Sequence, residues 1–345
     1  MALIYDLLTA NNIAGYYNAT QENVDQTTGE KLFPAKKQLG LKLAFVKGAS
    51  GRAVVLRPSA FDSKVTLRER MNLDLTETEM PFFKEAILVK EADRQELNTL
   101  AQTGNQTLID VVTKGIFNDT AHLLAGAKAR IEAMRFSVLA KGKIDINNNG
   151  VMMEYDYGIK DSNKLAVSKK WDDTAKSTPL ADLTEATQKL EDLGSKAEVL
   201  ILNSKTFANI KNSASTLTVI KPLAPKGAAV TKNELKSYLQ DELELTVVIV
   251  NGTYIDDDGV TKKFYPDGYA TLAPNSALGT TVFGTTPEES DLLGGNVANA
   301  EVEIVEEGIA VTTTKLTDPV NVQTKVSMIA LPSFEQIDNV LMMEV

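Results

Sequence analysis

The sequence predicts an α+β fold made of long, separate elements. Between residues 105 and 139, apolar residues recur at spacings of three, four or seven, which is the period of one helix face. Segments 39–89 and 301–331 contain strand-like pieces on either side of that helix. A helix of roughly 35 residues rises about 50 Å. Such a length predicts a structural spine, because a small compact domain has no room for it.

The first 35 residues predict an extended arm. They combine a short amphipathic turn, Leu3 to Leu8, with polar residues that show no period. Residues 39–89 contain three strand-like pieces in which polar side chains alternate on both faces. Because such strands bury little, we expect a long two-stranded ribbon there.

The spine helix has predicted ends and two predicted weak points. Thr107 and Asp110 form a candidate capping box at its start, and Gly142 is a stop signal. Gly115 and Gly126 lie inside the helix, where each glycine costs about 1 kcal/mol relative to alanine. We expect these two glycines to permit close approach or bending.

The middle of the chain predicts an α/β-like unit built on a small sheet. A hairpin is predicted for residues 143–158, with Asn149-Gly150 as its turn. The next segment predicts a helix that begins at Pro179, is capped by Thr178 and ends at Gly194. After it we predict a strand at 197–203 and a short helix around Phe207. A helix capped by Thr231 and Glu234 and a buried strand at 245–250 complete the unit.

The stretch VNGTYIDDDGVTKKFYPDGYATLAP raises the question of a metal loop, because three aspartates precede a glycine. A calcium loop between two helices needs glycine at its sixth position and glutamate at its twelfth. With Gly259 sixth, Tyr254 is first and Tyr265 twelfth, and neither supplies a carboxylate. We therefore predict that Asp257, Asp258 and Gly259 form the turn of a β-hairpin.

Composition narrows the classes of function. The formal net charge is -10, and residues 1–140 carry 17 basic and 16 acidic side chains, so the acidity lies beyond residue 140. This charge disfavours accumulation on nucleic acid or on an anionic membrane. The chain has no cysteine, which excludes disulfides and thiolate zinc sites. It shows no signal-peptide pattern and no bilayer-spanning apolar run, so we expect no membrane partner.

Catalytic motifs are absent from the sequence. His122, the one histidine, lies in the predicted spine helix without a local partner for a triad. Trp171 indicates a core or hinge contact in preference to a binding pocket. Carboxylate pairs such as Glu306 and Glu307 could serve a glycosidase, but 46 acidic residues produce such pairs by chance. We expect no cofactor and no metal site.

One local excess of basic residues lies on the predicted ribbon, where only Asp62 and Glu69 oppose it. It consists of Arg52, Arg57, Lys64, Arg68 and Arg70. These side chains either keep a long solvated ribbon from aggregating or steer the ribbon onto a neighbouring subunit.

Together these parts resemble the major capsid proteins of tailed bacteriophages, and most closely the lambda-type capsid protein E family, which has the Hong Kong ninety-seven-type phage capsid fold. The likeness rests on NGTYIDDDGVTKKFYPDG, on VLAKGKIDI, and on the order of arm, ribbon, spine helix and hairpin. It implies an N-terminal arm (1–35), an extended loop formed by the ribbon (36–88), a peripheral domain with the spine helix (89–177), an axial domain (178–302), return strands of the peripheral domain (303–333) and a C-terminal segment of the axial domain (334–345).

The resemblance also implies function and partners. The chain would be a non-enzymatic major capsid protein that self-assembles into hexamers and pentamers of an icosahedral head shell around packaged double-stranded DNA, without sequence-specific binding. Scaffolding protein and portal would act during assembly, and a decoration protein is an optional partner. A separate scaffolding protein is expected, since no charged helical low-complexity segment precedes the shell-like part. The protein would be made in the host bacterial cytoplasm and located in the virion.

Maturation in this fold bends and straightens the spine helix, so Gly115 and Gly126 are its candidate soft points. Two alternatives stay open at this point. One is an encapsulin-like subunit of a cargo-storing compartment, and the other is a soluble hydrolase that uses scattered carboxylates.

Overall fold

The computed structural model describes residues 8–21, 26–47, 74–89, most of 91–99, 106–148, 151–223, 225, 228–292, 299–318 and 320–345. The chain divides into two compact units. The first comprises Met1–Leu43, Glu77–Met134 and Thr280–Ser333, and the second comprises Ala44–Thr76, Arg135–Gly279 and Phe334–Val345.

The helices of the described residues are α1 (Ala10–Gln21), α2 (Thr28–Leu32), α3 (Gln106–Lys141), α4 (Pro179–Asp192), α5 (Ser204–Asn212), α6 (Ala214–Ile220), α7 (Lys232–Leu243) and α8 (Pro287–Asp291). The strands are β1 (Ala35–Lys37), β2 (Lys42–Lys47), β3 (Asp74–Glu79), β4 (Phe82–Val89), β5 (Lys143–Asn148), β6 (Val151–Asp156), β7 (Lys164–Ala166), β8 (Val199–Leu202), β9 (Thr246–Ile249), β10 (Thr253–Ile255), β11 (Thr261–Lys263), β12 (Tyr269–Ala273), β13 (Thr281–Phe283), β14 (Ala300–Val305), β15 (Ile309–Thr317), β16 (Val320–Pro332) and β17 (Leu341–Glu344). Both helices and sheets are present, as the sequence predicts.

The first unit is built on a six-stranded sheet, in which five strands follow the order β1-β13-β16-β15-β14 and the sixth, β4, also pairs with β16. Strand β16 is long enough to pair with β15 along one side and with β4 and then β13 along the other. All pairs are antiparallel except β1 with β13, which is parallel. The return strands predicted near the C-terminus therefore organise this sheet.

The N-terminal segment is helical where an extended arm was predicted. Ala10, Ile13, Ala14 and Tyr17 are buried, and their spacing of i, i+3, i+4 and i+7 places them on one face of α1. That face packs against β14 and β15, and β1 then joins the sheet. The prediction of an extended arm is wrong for residues 10–21 and 28–32, which are helical. In the first of these helices, the two small alanines on the buried face make the helical period hard to recognise among polar neighbours.

The predicted ribbon is confirmed at its base, where β2 and β3 form a separate two-stranded sheet. One of the three strand-like pieces predicted within 39–89, residues 52–58, lies outside the described residues. Strand β4, which the predicted extended loop (36–88) included, instead pairs with β16 in the large sheet. Its alternate residues Phe83 and Val89 face the first unit's interior, since Arg130 lies over the Phe83 ring and Val89 is buried. One covered face is sufficient to hold this strand in a sheet.

The spine helix is confirmed as α3, which has 36 residues and therefore rises about 54 Å. It ends at the predicted stop, because Gly142 adopts a left-handed φ of 72° and its N–H donates to the carbonyl of Val138 at 2.8 Å. The predicted capping box of Thr107 and Asp110 falls on side chains outside the described part of the chain.

The second unit contains a five-stranded mixed sheet in the order β7-β17-β12-β8-β9. One face of the sheet packs against the helices that follow Thr178, which confirms the predicted α/β-like unit. The core on this face contains Leu183, Leu190, Leu200, Leu202, Phe207, Leu235, Leu239, Leu272, Leu341 and Met343. Strand β9 was predicted to be buried, but it lies at the sheet edge and its residues are half-exposed or exposed.

Most of the capping residues predicted for the helices of this unit are confirmed. Thr231 and Glu234 form the predicted capping box of α7. Pro179 occupies the first turn of α4 and Thr178 its N-cap position, although the Thr178 side chain makes no capping hydrogen bond. Gly194 takes a left-handed φ of 88° just after the helix.

Candidate assembly surfaces

The basic residues predicted to guide the ribbon, Arg52, Arg57, Lys64, Arg68 and Arg70, lie outside the described residues. Only the paired base of the ribbon, β2 with β3, is described. The proposed role of these residues therefore stays a prediction.

Gly115 and Gly126 both lie inside α3, as predicted. A Cβ atom added at either position meets no atom within 4 Å. Close approach by a described part of the same chain is therefore not the reason for these glycines. Bending of the helix, or approach by another subunit, remains the prediction for them.

The N-terminal segment is held on α3 by a cluster that sequence reasoning missed. Lys128 of α3 forms an ion pair with Glu306 Oε1 at 2.5 Å, and its ammonium lies 5.2 Å from the centre of the Tyr17 ring. Burial alone would lower the pKa of Lys128, but hydrogen bonds with Glu306 and Tyr17 outweigh burial and raise that pKa. Glu306 itself adopts a left-handed φ of 54° in the turn between β14 and β15. Lys128 thus connects α3 to the N-terminal segment and to the sheet of the first unit.

A second attachment joins α2 to the same helix. The buried carboxylate of Glu132 accepts a hydrogen bond from the Gly29 N–H at 3.2 Å. A Cβ at position 29 would lie 2.3 Å from Glu132 Oε2. Glycine is therefore needed there for the close approach.

Helix α8 joins two strands of the large sheet through consecutive glutamates. Glu289 pairs with Lys37 of β1, and Glu288 pairs with Lys325 of β16 at 2.5 Å and accepts a hydrogen bond from Ser327 at 3.0 Å. Burial alone would raise the pKa of Glu288, but the hydrogen bonds from Lys325 and Ser327 outweigh it and lower that pKa. The cluster fixes the return strands and the segment after the arm to each other.

The predicted turn at Asp257, Asp258 and Gly259 is confirmed. Strands β10 and β11 pair antiparallel on either side of it, and Gly259 adopts a left-handed φ of 76°. Asp256 accepts hydrogen bonds from the N–H groups of Asp258 and Val260 at 3.1 and 2.8 Å. These contacts show an aspartate that organises a turn.

The hairpin at 143–158 is also confirmed, since β5 and β6 pair from Lys143 with Asp156 to Asn148 with Val151. Its turn, Asn149-Gly150, lies outside the described residues. Nearby, the end of α3 meets the second unit's sheet, because the Leu139 carbonyl accepts a hydrogen bond from Thr271 Oγ1 at 2.8 Å.

The residues considered for chemistry have structural surroundings. His122 is exposed on α3, and Trp171 is fully buried, with Nε1 donating to Asp182 Oδ2 at 2.8 Å. The prediction of a core tryptophan is thus confirmed. Across the described ranges, no group of three or more His, Asp or Glu side chains is placed to hold a metal ion. None of the described helices is both long and apolar enough to cross a membrane.

Comparison with known proteins decides the family. Residues 9–345 match the family described as phage major capsid protein E. The chain belongs to the phage major capsid protein E family. The resemblance found in the sequence is thereby confirmed. No curated protein sequence matches the chain significantly.

Solved structures show the same fold as this capsid protein E chain. A proposed prophage capsid protein from E. coli CFT073 is 15% identical, has a TM-score of 0.58, and is matched over 98% of this chain and 99% of that one. A phage-related protein from Bordetella bronchiseptica RB50 is 12% identical, with a TM-score of 0.56 and 97% of each chain covered. The capsid asymmetric unit of cyanophage A-1(L) is 11% identical, with a TM-score of 0.50 and coverages of 93% and 95%.

These findings confirm the Hong Kong ninety-seven-type capsid fold and the function of a phage major capsid protein. A member of the capsid protein E family is a structural protein that self-assembles into the phage head shell and is located in the virion. The matches give no support to the encapsulin-like compartment or to the hydrolase.

Proposed function

We propose that this capsid protein forms hexamers and pentamers in which the β2–β3 ribbon of one subunit extends onto a neighbour. The family match over residues 9–345 carries this proposal. A two-stranded ribbon that forms its own sheet supports it, because an isolated ribbon of this kind is marginally stable until further contacts cover it.

The domain assignment belongs to the same proposal. Residues 1–35 act as the arm, 36–88 as the extended loop, 89–177 and 303–333 as the peripheral domain, and 178–302 with 334–345 as the axial domain. The compact units change at Met134 and at Thr280, whereas the proposed domains change at 177 and 302. Strands β1 and β4, at the ends of the proposed arm and loop, pair with strands of the first unit's sheet.

Assembly also involves partners in this proposal. A separate scaffolding protein and a portal act during assembly, a decoration protein is an optional addition, and the subunit is made in the host bacterial cytoplasm. The shell encloses double-stranded DNA without sequence-specific contacts. The net charge of -10 supports this role, because a wall that bound DNA tightly would hinder packaging. The subunit itself catalyses no reaction.

Charge reversal on the ribbon tests the proposal. From Arg52 to Arg70 the chain carries five basic and two acidic residues. Exposed pairs are each worth about 0.2 to 1 kcal/mol and weaken with salt, but a shell repeats them at every subunit contact. We expect Arg57→Glu with Arg68→Glu to give folded, soluble subunits that assemble poorly.

The control is Lys169→Glu with Lys176→Glu, which makes the same charge change on two exposed side chains of the second unit. Assembly is measured by sedimentation and electron microscopy at several salt concentrations. If the ribbon variant assembles like the wild type at low salt, its basic residues only solvate the ribbon. If the wild type stays monomeric under every condition, the proposed assembly itself is wrong.

A further inference from the structure

The β10–β11 hairpin carries two exposed apolar side chains at its tip. Ile255 is 71% exposed and Val260 is 53% exposed. Both are β-branched residues, whose exposure at the end of a two-stranded hairpin is unfavourable in water. Asp257 and Asp258 lie between them in the turn. We call this tip, residues 255–260, the hairpin knob.

The hairpin knob is held in one conformation before any partner arrives. The rings of Tyr254 and Phe264 stack at the base with 5.2 Å between their centres. Asp256 fixes the turn by accepting two backbone N–H groups and by pairing with Lys262 at 2.5 Å. Lys262, followed by the Val260 N–H, lowers the pKa of Asp256, so the aspartate stays ionised at neutral pH. A preorganised element loses less conformational entropy when it binds.

A complementary surface lies elsewhere in the second unit, on the described residues of 204–223, 225 and 228–236. Residues 204–236 have six lysines and a single acidic residue, Glu234, although the chain beyond residue 140 is strongly acidic. The described lysines are Lys205, Lys211, Lys221, Lys232 and Lys236, and Lys226 lies outside the described residues. Lys205 and Lys221 form ion pairs within the subunit, and all the described lysines are at least partly exposed. We call the described residues among 204–236 the basic segment.

Two exposed apolar side chains lie within the basic segment. Leu223 is 97% exposed and Val219, at the end of α6, is 48% exposed. Lys221 lies between them in the sequence, and exposed apolar residues near charged ones are typical of an interaction surface. The basic segment is therefore complementary to the hairpin knob in two respects. Both have exposed apolar side chains, and their nearby charges are of opposite sign.

We infer that the hairpin knob of one subunit docks onto the basic segment of a second copy of this chain, with Ile255 and Val260 against Val219 and Leu223. This inference rests on the proposed assembly into capsomers. The knob and the segment are different surfaces, so each subunit gives one and receives the other. A contact of this heterologous kind generates rings when its rotation closes, which is the form a hexamer or pentamer needs.

Nucleic acid is the other occupant that lysines attract, and the side chains argue against it. Single-stranded nucleic acid is bound by aromatic rings interleaved with basic residues. The described aromatic residue of the basic segment, Phe207, is buried. Leu223 and Val219 would gain nothing from a phosphate backbone, whereas two β-branched side chains would cover them.

Crosslinking tests the contact directly, because the chain has no cysteine. Asp258→Cys and Pro225→Cys place one thiol on the hairpin knob and one on the basic segment, and both variants leave the four apolar side chains unchanged. Assembled particles of the double variant, treated with a short bis-maleimide, should give a ladder of dimers and larger species on a denaturing gel. The control pairs Pro225→Cys with Met152→Cys, since Met152 is 64% exposed on the other hairpin, β5–β6.

A second measurement tests the apolar part of the contact. Ile255→Thr with Val260→Thr keeps the β-branched shape, so the hairpin should fold, while the crosslinking yield should fall about tenfold in the Cys background. The matched control Met152→Thr should leave the yield unchanged. Circular dichroism confirms that each variant is folded.

The outcomes separate this inference from the proposed assembly. Shells that form normally but yield only monomer bands, or only crosslinks within one subunit, overturn the inference and leave the assembly intact. An unchanged yield in the threonine variant also overturns it. If Lys232→Glu with Lys236→Glu abolishes binding of DNA fragments and leaves the ladder unchanged, these lysines bind nucleic acid and the charge part of the inference is wrong. A wild type that forms no particles refutes the proposed function instead.

Discussion

Replacing Gly142 by alanine should destabilise the second unit more than the same change at another left-handed glycine. Gly142 ends the spine helix with φ 72°, and an added Cβ would lie 2.2 Å from Ile159 Cδ1 and 2.7 Å from Ile159 Cγ1. The left-handed conformation costs an alanine about 1 to 2 kcal/mol. Overpacking against a buried side chain adds about 1 to 3 kcal/mol. The total expected loss is therefore about 2 to 5 kcal/mol.

Gly259 provides the matched control, because its φ is 76° and nothing lies within 4 Å of an added Cβ. Gly259→Ala should lose only the conformational part, about 1 to 2 kcal/mol. Ile159→Ala tests the cause, since of the three atoms nearest to the added Cβ only Ile159 Cβ, at 3.5 Å, would remain. In that background the cost of Gly142→Ala should fall to the value found for Gly259→Ala.

Urea unfolding of subunits kept below the assembly concentration measures these free energies. Trp171 is the one tryptophan of the chain and is fully buried in the second unit, so its fluorescence reports on that unit. The double-mutant cycle of Gly142→Ala and Ile159→Ala should give a coupling free energy of about 1 to 3 kcal/mol. If Gly142→Ala costs no more than Gly259→Ala, or if its cost is unchanged without the Ile159 side chain, then a clash with Ile159 is not the cause of the lost stability.

Three further predictions concern the first unit. Gly115→Ala with Gly126→Ala should stabilise α3 by about 1 kcal/mol per site, because both positions are open, and should change the balance between compact and expanded shells in electron micrographs; unaltered expansion would remove these glycines from maturation. Gly29→Ala should displace Glu132, lower the free energy of unfolding by about 1 to 3 kcal/mol and make the N-terminal segment susceptible to proteolysis. Gly15→Ala, with open space around the added Cβ, should have neither effect. The pKa of Glu288 is lowered in the folded state, so the stability that its carboxylate contributes is present at neutral pH and is lost as pH falls through that lowered pKa. The difference in unfolding free energy between wild type and Glu288→Gln should therefore shrink between about pH 6 and about pH 3. A difference that stays constant over this range would contradict the prediction.

Local interactions explain what the sequence by itself determined about this protein. The period of α3, its stop at Gly142 and the capping box of Thr231 and Glu234 depend on residues a few positions apart. The hairpin turn at Asp257, Asp258 and Gly259 has the same origin, since its glycine alone supplies the left-handed φ. Sequence motifs also sufficed to recognise the capsid family, which the match over residues 9–345 confirmed.

Only the tertiary structure showed how segments with weak sequence patterns fold and pair. Two alanines on α1 conceal a helix face until the sheet covers it, and β4 resembles a ribbon strand until β16 pairs with it. The ion pair of Lys128 with Glu306 joins residues far apart in sequence, so no local pattern predicts it. The local excess of lysines in the basic segment was not noticed in the sequence, because the chain beyond residue 140 is acidic as a whole. The exposure of Leu223 and Val219 in the structure indicated that the segment is a surface for binding. Packing and pairing depend on distance in space, which local sequence periods do not encode.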